Sequence, residues 1–238
     1  MKTFAIILSA GSSTRFEGNI KKQFYKINDK EILYYSLSTF DKSKKIDEIV
    51  LVTAKEDLEE VKDLVKKYNF KKVSQVVIGG SSRQESVKHG LDSIEENDGY
   101  VLIHDAARPL VDEEIIDSLI SKLQDYDGAS PALKVVDTII RANNGELSSI
   151  EDRESLYRIQ TPQAFRLNVI KEAHVKFLDK NATDDTQLVK ALNKRVAIIE
   201  GKEKFKKITK LEDTDAIRAY IEQNEHLQNQ WYYRRYHH

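Results

Sequence analysis

The sequence predicts an α/β domain in which a mainly parallel sheet is covered by helices on both faces and a projecting β-hairpin arm is inserted. Three observations support this fold class. Short apolar runs alternate with longer runs of helical period, the short runs are apolar on both faces as buried parallel strands require, and a hairpin signal interrupts the alternation once. The 238 residues are enough for one large domain with a sizeable core.

The first half of the chain supplies the central strands and their covering helices. Four β-branched or aliphatic runs, bounded by polar residues or glycine, are predicted strands: residues 3–8, 48–53, 73–78 and 100–104. Two stretches have apolar residues every three or four positions and are predicted amphipathic helices: residues 56–68 and 113–123. Because strand and helix alternate, the crossovers make the sheet parallel.

The pattern changes after Lys134. Residues 135–141 and 147–151 flank the turn-forming sequence Asn143-Asn144-Gly145, which predicts a β-hairpin within an arm of about residues 135–155. One face of this hairpin is too polar for a central strand, so we expect the arm to project. Its unpaired edges predict a homodimer in which a second copy of the chain covers the arm.

The last third of the chain returns to the alternating pattern. Helices are predicted at residues 168–178, 184–192 and 212–222, and a strand at residues 195–200. No repeat or linker divides residues 1–225, which we expect to form a single domain. Residues 226–238 are aromatic and basic; we expect a frayed, flexible tail, with a partner-docking segment as the alternative.

Composition excludes several functional classes. The 38 Lys and Arg residues nearly cancel the 39 Asp and Glu residues, so we expect neither nucleic acid nor an anionic membrane as a partner. The absence of cysteine excludes disulfides, thiolate metal sites and cysteine nucleophiles. The apolar opening at residues 4–8 is too short for a signal peptide, and no run approaches the roughly 20 residues of a membrane span, so we expect a cytoplasmic protein.

The loop after the first predicted strand is the first candidate site, because sites in parallel α/β sheets form at the carboxyl ends of strands. Residues 9–23 are rich in small and hydroxyl side chains, whose backbone N–H groups can surround a phosphate that Arg15 and Lys22 would neutralise. This pattern predicts a nucleotide or phosphate site. The nine glycines form neither G-x-G-x-x-G, G-x-S-x-G nor the Walker loop, which removes the main support for a dehydrogenase, a hydrolase or a P-loop NTPase.

The second candidate site ends the fourth predicted strand, at residues 103–109. A carboxylate beside a phosphate loop is suited to holding Mg²⁺ on a triphosphate, which makes Asp105 the candidate metal ligand. The alternative is that Asp105 caps the turn and pairs with Arg108. His104 closes an apolar strand and fits a buried core histidine better than a metal ligand.

Seven motifs occur together in the order seen in one family. They are residues 8–11 with Arg15, Lys22 and Gln23; Gly79-Gly80 with Arg83 and Ser86; His104-Asp105-Ala106-Ala107-Arg108-Pro109; Asp137-Thr138; Thr161-Pro162-Gln163; Ala182-Thr183-Asp184-Asp185; and Lys207-Ile208-Thr209. On these residues the chain closely resembles the 2-C-methyl-D-erythritol 4-phosphate cytidylyltransferases of the non-mevalonate isoprenoid pathway, over about residues 3–221. The ribitol-5-phosphate cytidylyltransferases are close relatives, and Ala107 and residues 182–185 favour the erythritol enzyme.

The resemblance implies a Rossmann-like fold of the nucleotidyltransferase type and a reaction between two anions. The phosphate of the sugar alcohol would attack the α-phosphorus of CTP in line and release pyrophosphate, so positioning and electrostatics should dominate catalysis.

The resemblance also implies residue roles. Catalytic roles fall to Arg15, Lys22, Arg153 and Lys207, and the Mg²⁺ ligand is Asp105. The implied nucleotide-binding residues are Ala10, Gly11, Ser12, Ser13, Gly80, Ser81, Arg83, Ser86 and Asp105. The sugar-alcohol phosphate would be held by Thr138, Arg153 and Lys207, of which the two arm residues Thr138 and Arg153 would reach into the neighbouring subunit.

Some positions depart from the family pattern. Ser13 and Phe16 stand where a glycine and a methionine are usual, and Lys21 replaces a proline, which makes the turn before Lys22 less rigid. Residues 205–209 lack the usual Asn-Ile, so Lys206 competes with Lys207 for the phosphate-aligning role.

Two further classes stay open at this point. One is a non-catalytic nucleotide-binding domain, and the other is a nucleotide-sugar glycosyltransferase with an Asp-x-Asp metal motif. Asp213-Thr214-Asp215 has that spelling, but it opens a late helix and is interpreted as helix capping.

Overall fold

An eight-stranded sheet forms the centre of the computed structural model, which describes residues 1–11 and 20–236, with side chains up to residue 224. The strands, in chain order, are β1 (Thr3–Ser9), β2 (Lys26–Ile27), β3 (Lys30–Glu31), β4 (Glu48–Thr53), β5 (Val73–Ile78), β6 (Tyr100–Asp105), β7 (Gly128–Lys134), β8 (Ile140–Asn143), β9 (Glu146–Ile150), β10 (Tyr157–Ile159), β11 (Gln163–Arg166) and β12 (Val196–Glu200). The helices are α1 (Ile32–Lys42), α2 (Leu58–Tyr68), α3 (Arg83–Asp92), α4 (Glu113–Lys122), α5 (Leu167–Lys176), α6 (Asp185–Ala191) and α7 (Asp213–Tyr236).

The sheet is mainly parallel, which confirms the predicted fold class. Strands β5, β4, β1 and β6 lie side by side in parallel register. β11 continues the sheet antiparallel to both β6 and β7. β10 also pairs antiparallel with β7, and β12 pairs parallel with β7. The carboxyl ends of β1, β4, β5 and β6 therefore meet at one edge of the sheet, where a site is expected.

Each face of the sheet is covered by helices because the central strands are apolar in both directions. In β1, Ala5 and Ile7 pack toward α1, α2 and α4, whereas Phe4 and Ile6 pack toward α3, α5 and α6. All four side chains are at most 1% exposed. Burial on both faces explains why the strand reads as a continuous apolar run.

The structure extends the predictions at the end of α7 and at several strands. α7 runs through Tyr236 rather than ending at residue 222. The strands β2, β3, β7, β10 and β11 were not predicted. The β7 sequence Gly-Ala-Ser-Pro-Ala-Leu-Lys, for example, has the composition of a loop. None of the helices in the described part of the chain combines the length and apolarity that crossing a membrane requires.

The hairpin within the arm consists of β8 and β9, which pair antiparallel only with each other within the described sheets. Asn144 and Gly145 both have positive φ, of 52° and 85°, as a tight two-residue hairpin turn requires. The paired part begins at Ile140, later than the predicted residue 135, because the backbone N–H of Val135 bonds to Leu156 instead. Leu147 and Ile150 are 61% and 66% exposed, so the arm presents apolar side chains to solvent.

Candidate active site

The described residues enclose a cavity of about 760 Å³ at the carboxyl edge of the sheet. Its walls come from the segments that leave β1, β4, β5 and β6, joined by the turn at Lys22 and by the segment before α7. The lining residues are Leu8, Ser9, Ala10, Gly11, Lys22, Gln23, Ile32, Ala54, Lys55, Glu56, Ile78, Gly79, Gly80, Ser81, Ser82, Arg83, Ser86, Asp105, Ala106, Ala107, Lys207 and Thr209. Cationic, hydroxyl and backbone groups therefore face one space.

Asp105 is the carboxylate at the floor of the cavity. It is the last residue of β6 and pairs in register with Leu8 of β1, which brings it to the start of the first loop. Its Oδ2 accepts from Lys207 Nζ at 2.8 Å and its Oδ1 from Arg83 Nε at 3.2 Å. Burial raises the pKa of this carboxyl, but the charges of Arg83 and Lys207 outweigh burial and hold its pKa well below the ordinary value.

The alternative pairing of Asp105 with the Arg108 side chain is not found among the described contacts. The Arg108 guanidinium donates from Nη1 to the carbonyl of Phe205 at 2.8 Å, and only the backbone N–H of Arg108 bonds to Asp105, at its carbonyl. The Asp105 carboxylate is thus directed into the cavity.

Arg83 is anchored by a second carboxylate, Asp185, which was not among the site residues predicted from the sequence. Its Nη1 donates to Oδ2 of Asp185 at 2.7 Å, and Oδ1 of Asp185 accepts from His174 Nε2 at 3.0 Å. Asp185 is 1% exposed. Burial lowers the pKa of Arg83, but the charges of Asp185 and Asp105 raise it by more. The guanidinium therefore stays charged between two carboxylates. The only sequence signal for Asp185 was its place in residues 182–185.

His104 is a buried structural histidine, as predicted. The Thr161 hydroxyl accepts from the backbone N–H of Asp105 at 3.1 Å and lies 3.0 Å from His104 Nδ1. Because the other ring nitrogen faces a carbonyl, which can only accept, the neutral ring carries its proton on Nε2, and Nδ1 accepts from the Thr161 hydroxyl. His104 Nε2 then donates to the carbonyl of Arg108 at 3.0 Å. Burial lowers the pKa of His104 to about 4, which keeps the ring neutral in this role.

The turn between β5 and α3 packs tightly against the first loop. A Cβ on Gly79 would lie 2.6 Å from the Cβ of Ala10 and 2.8 Å from Oγ of Ser86. The Ser86 hydroxyl accepts from the backbone N–H of Gly80 at 3.1 Å. Because no side chain fits at Gly79, the backbone of this turn can face the cavity directly.

Lys206 and Lys207 point in different directions. Lys207 lines the cavity, whereas the ammonium of Lys206 lies 2.6 Å from Oδ1 of Asp213. Oδ2 of Asp213 accepts from the backbone N–H groups of Thr209 and Lys210. Asp213 therefore holds the turn in front of α7, away from the cavity lining. These bonds go to residues that precede the helix, so the helix capping predicted for the Asp-x-Asp sequence stays a prediction.

The structure brings most of the predicted site residues together. The ones that line the cavity are Ala10, Gly11, Lys22, Gly80, Ser81, Arg83, Ser86, Asp105 and Lys207. Ser12, Ser13 and Arg15 lie outside the described residues. Thr138 and Arg153 lie on the exposed arm and do not line this cavity, and Arg153 donates to the carbonyl of Val136 at 2.9 Å.

A mainly parallel sheet whose carboxyl edge gathers lysines, an arginine, a carboxylate and a glycine turn defines an α/β protein of the nucleotidyltransferase type. Comparison with known proteins identifies the family within this class. The family model IspD, 2-C-methyl-D-erythritol 4-phosphate cytidylyltransferase, matches residues 3–223, and the chain belongs to this family.

Individual relatives agree with the family match. The chain is 42% identical over 215 residues to the 2-C-methyl-D-erythritol 4-phosphate cytidylyltransferase of Clostridium botulinum (strain Okra / Type B1), covering 89% of this chain and 94% of the relative. The structure of 4-diphosphocytidyl-2C-methyl-D-erythritol synthase from Anaerococcus prevotii DSM 20548 matches with a TM-score of 0.80 at 30% identity, covering 93% and 96% of the two chains. The structure of the Thermus thermophilus 2-C-methyl-D-erythritol 4-phosphate cytidylyltransferase matches with a TM-score of 0.75 at 27% identity, covering 91% and 98%.

Proposed function

We infer that this chain transfers CMP from CTP to 2-C-methyl-D-erythritol 4-phosphate, forming 4-diphosphocytidyl-2-C-methyl-D-erythritol and pyrophosphate. One observation supports this function best: Lys22, Arg83, Asp105 and Lys207 line a single cavity beside the phosphate loop in a member of this family. The chain is an enzyme, so the non-catalytic alternative is set aside. The relatives named above carry the erythritol and not the ribitol substrate in their names.

The chemistry explains why cationic side chains are needed. Both reactants are anions, and negative charge accumulates at the α-phosphorus as the phosphate attacks. The attacking phosphate is already ionised, so the reaction needs no side-chain nucleophile or strong base. We assign Lys22 and Lys207, with Arg15 of the first loop, to neutralising this charge, because preorganised donors stabilise a transition state more than water does.

The residues present fit a divalent cation held jointly with the nucleotide. Within the described residues each oxygen of Asp105 accepts one hydrogen bond, which leaves it a lone pair for a metal. No cluster of three or more acidic or imidazole ligands occurs in the described part of the chain, and Mg²⁺ commonly uses one carboxylate together with substrate phosphates. When bound there, the cation supplies positive charge to the triphosphate oxygens.

We assign nucleoside recognition to the glycine turn and the first loop. The Gly79 and Gly80 backbone and the Ser81 and Ser86 side chains border the cavity where a small pyrimidine ring has room to meet them. Ala10, Gly11, Ser12 and Ser13 would supply backbone donors to the phosphates. Arg83 completes this wall, although its two carboxylate partners give its guanidinium an anchoring role as well.

We propose a homodimer in which the arm of each chain completes the site of the other. Exposed apolar residues such as Leu147 and Ile150 support a covered arm, and Thr138 and Arg153 are placed on it far along the chain from the cavity segments. In that arrangement the two residues would hold the erythritol phosphate from the neighbouring subunit. The single-domain boundary at residue 225 and the cytoplasmic location also stay predictions.

The decisive experiment offers the purified protein CTP with Mg²⁺ and either 2-C-methyl-D-erythritol 4-phosphate or ribitol 5-phosphate, and measures pyrophosphate release. We expect release with the erythritol phosphate. Release only with ribitol 5-phosphate would overturn the acceptor, and no release with either would overturn the activity. Lys22→Ala should lower turnover about a hundredfold with the fold intact, and a near-normal rate would contradict its role.

A further inference from the structure

A buried carboxylate lies directly behind the turn that carries Lys22. Asp57 precedes α2, and its side chain is 6% exposed. Its Oδ1 lies 2.5 Å from the ammonium of Lys21, and its Oδ2 accepts from the amide of Gln23 at 2.9 Å. Lys21 Nζ also lies 3.1 Å from Oε1 of Glu56. Within the part of the chain that the structure describes, the two side chains that donate to the Asp57 carboxylate belong to the residues on either side of Lys22.

The backbone of this turn is fixed by the same arrangement. Residues Lys22–Phe24 form one 3₁₀ turn, in which the N–H of Phe24 bonds to the carbonyl of Lys21 at 3.0 Å. Gln23 is 6% exposed, so its bond to Asp57 is made inside the protein. Because the residues on both sides of Lys22 are attached to Asp57, the backbone position from which the Lys22 side chain starts has little freedom.

We propose that Lys21, Gln23 and Asp57 form a clamp that positions Lys22 for catalysis; this rests on the proposed role of Lys22. A lysine has a flexible four-carbon stem, so its value as a preorganised cation depends on a fixed backbone. Lys21 itself is committed to two carboxylates, Asp57 and Glu56, which already neutralise its charge. Its contribution is to hold the turn, while Lys22 lines the cavity.

The proposal is tested by a double-mutant cycle in which steady-state pyrophosphate release gives kcat and KM for CTP. Lys21→Ala removes the contacts of a partly exposed side chain to Asp57 and Glu56. We expect kcat to fall about tenfold, since small misplacement of a catalytic group is costly. In a Lys22→Ala background the same change should have almost no further effect, because the clamp acts through Lys22. Asp57→Asn should show the same dependence on Lys22.

Two further variants separate positioning from general stability. Lys21 has φ of −65°, the angle that proline imposes, so Lys21→Pro should retain more turnover than Lys21→Ala by stiffening the turn without the ion pair. Lys62→Ala is the matched control, because it removes an exposed ion pair to Glu59 on α2, outside the cavity lining. We expect its kcat to stay within about twofold of the starting enzyme.

Three other outcomes would each refute the proposed clamp. If Lys21→Ala behaves like Lys62→Ala, the contact is only a surface ion pair. If the effects of Lys21→Ala and Lys22→Ala multiply, Lys21 binds the phosphates itself and is not a positioning residue. If Lys22→Ala is near normal while the starting enzyme releases pyrophosphate, both the role of Lys22 and the clamp are wrong although the activity stands.

Discussion

Replacing Asp185 with asparagine removes the buried charge that holds Arg83 in place. The carboxylate of Asp185 accepts one bond from the Arg83 guanidinium and one from the His174 ring, at 2.7 and 3.0 Å. Asparagine has the same shape but one acceptor oxygen, so its amide NH₂ would face one of these two donors. The variant therefore loses the ion pair with Arg83, and its NH₂ group is accommodated only when the His174 proton moves from Nε2 to Nδ1.

The expected loss of stability follows from the burial of the pair. Breaking a fully buried ion pair from one side costs about 3–5 kcal/mol. The Arg83 side chain is 24% exposed and keeps Asp105 as a second partner, which reduces the cost to about 2–3 kcal/mol. In a protein of this length about 1 kcal/mol shifts the melting temperature by about 2–4 °C, so we expect a fall of about 4–12 °C.

The loss should depend on pH in a defined direction. Burial raises the pKa of Asp185, but the Arg83 charge and the His174 bond together lower it by more. The pKa of Asp185 in the folded protein is therefore below the ordinary value. A carboxyl with a depressed folded pKa stabilises the fold above its unfolded pKa of about 3.9, and this stability is lost as pH falls through the folded pKa. The difference in stability between the starting protein and Asp185→Asn should thus be largest at neutral pH and shrink below about pH 4.

Thermal unfolding followed by calorimetry at several pH values measures this difference. Asp179→Asn is the matched control, since it makes the same substitution at an exposed position between α5 and α6. The reasoning is refuted if Asp185→Asn melts within about 1 °C of the control at neutral pH, or if the difference grows on acidification.

Three further predictions concern the cavity and the arm. Lys207→Ala should lower kcat for pyrophosphate release about a hundredfold while Lys206→Ala, whose ammonium pairs outside the cavity, stays within about threefold; equal losses would contradict the assignment. Gly79→Ala should weaken CTP binding about tenfold, as measured by calorimetric titration, because its Cβ would lie 2.6 Å from the Cβ of Ala10. An unchanged affinity would show that the turn can move to accept the methyl group without cost to binding. Leu147→Asp on the arm should convert a dimer to a monomer in light scattering with CTP affinity retained, whereas an intact dimer would exclude the arm as the interface.

The central strands were predictable because their burial is visible in their own residues, as continuous apolar runs. In β1, β4 and β6, helices cover both faces, so every position favours an apolar residue and the run stands out from its neighbours. β7 gives no such signal, since Gly128, Ser130 and Pro131 have low strand preference. It is a strand because β11 and β12 flank it, and those partners come from distant parts of the chain.

The site was predictable as a set of residue types but not as a set of contacts. Asp105 and Lys22 follow from the places of their loops after strands. The choice of Lys207 over Lys206 depends on the bond from the N–H of Ile208 to the carbonyl of Ala107, which fixes the side that each lysine faces. That bond joins segments that are remote in sequence, so no local pattern contains it.

The two cationic partners of Asp105 differ in how firmly they are held. Arg83 is held by a second, buried carboxylate at Asp185, whereas Lys207 has Asp105 as its one ion-pair partner within the described residues. The Lys207 side chain is also the more exposed, 41% against 24% for Arg83. If Lys207 turns toward an incoming phosphate, Asp105 still has Arg83 as a counterion and no buried charge is left unpaired. The arrangement therefore lets one cation move to the substrate while the carboxylate proposed to hold the metal stays ionised and in place.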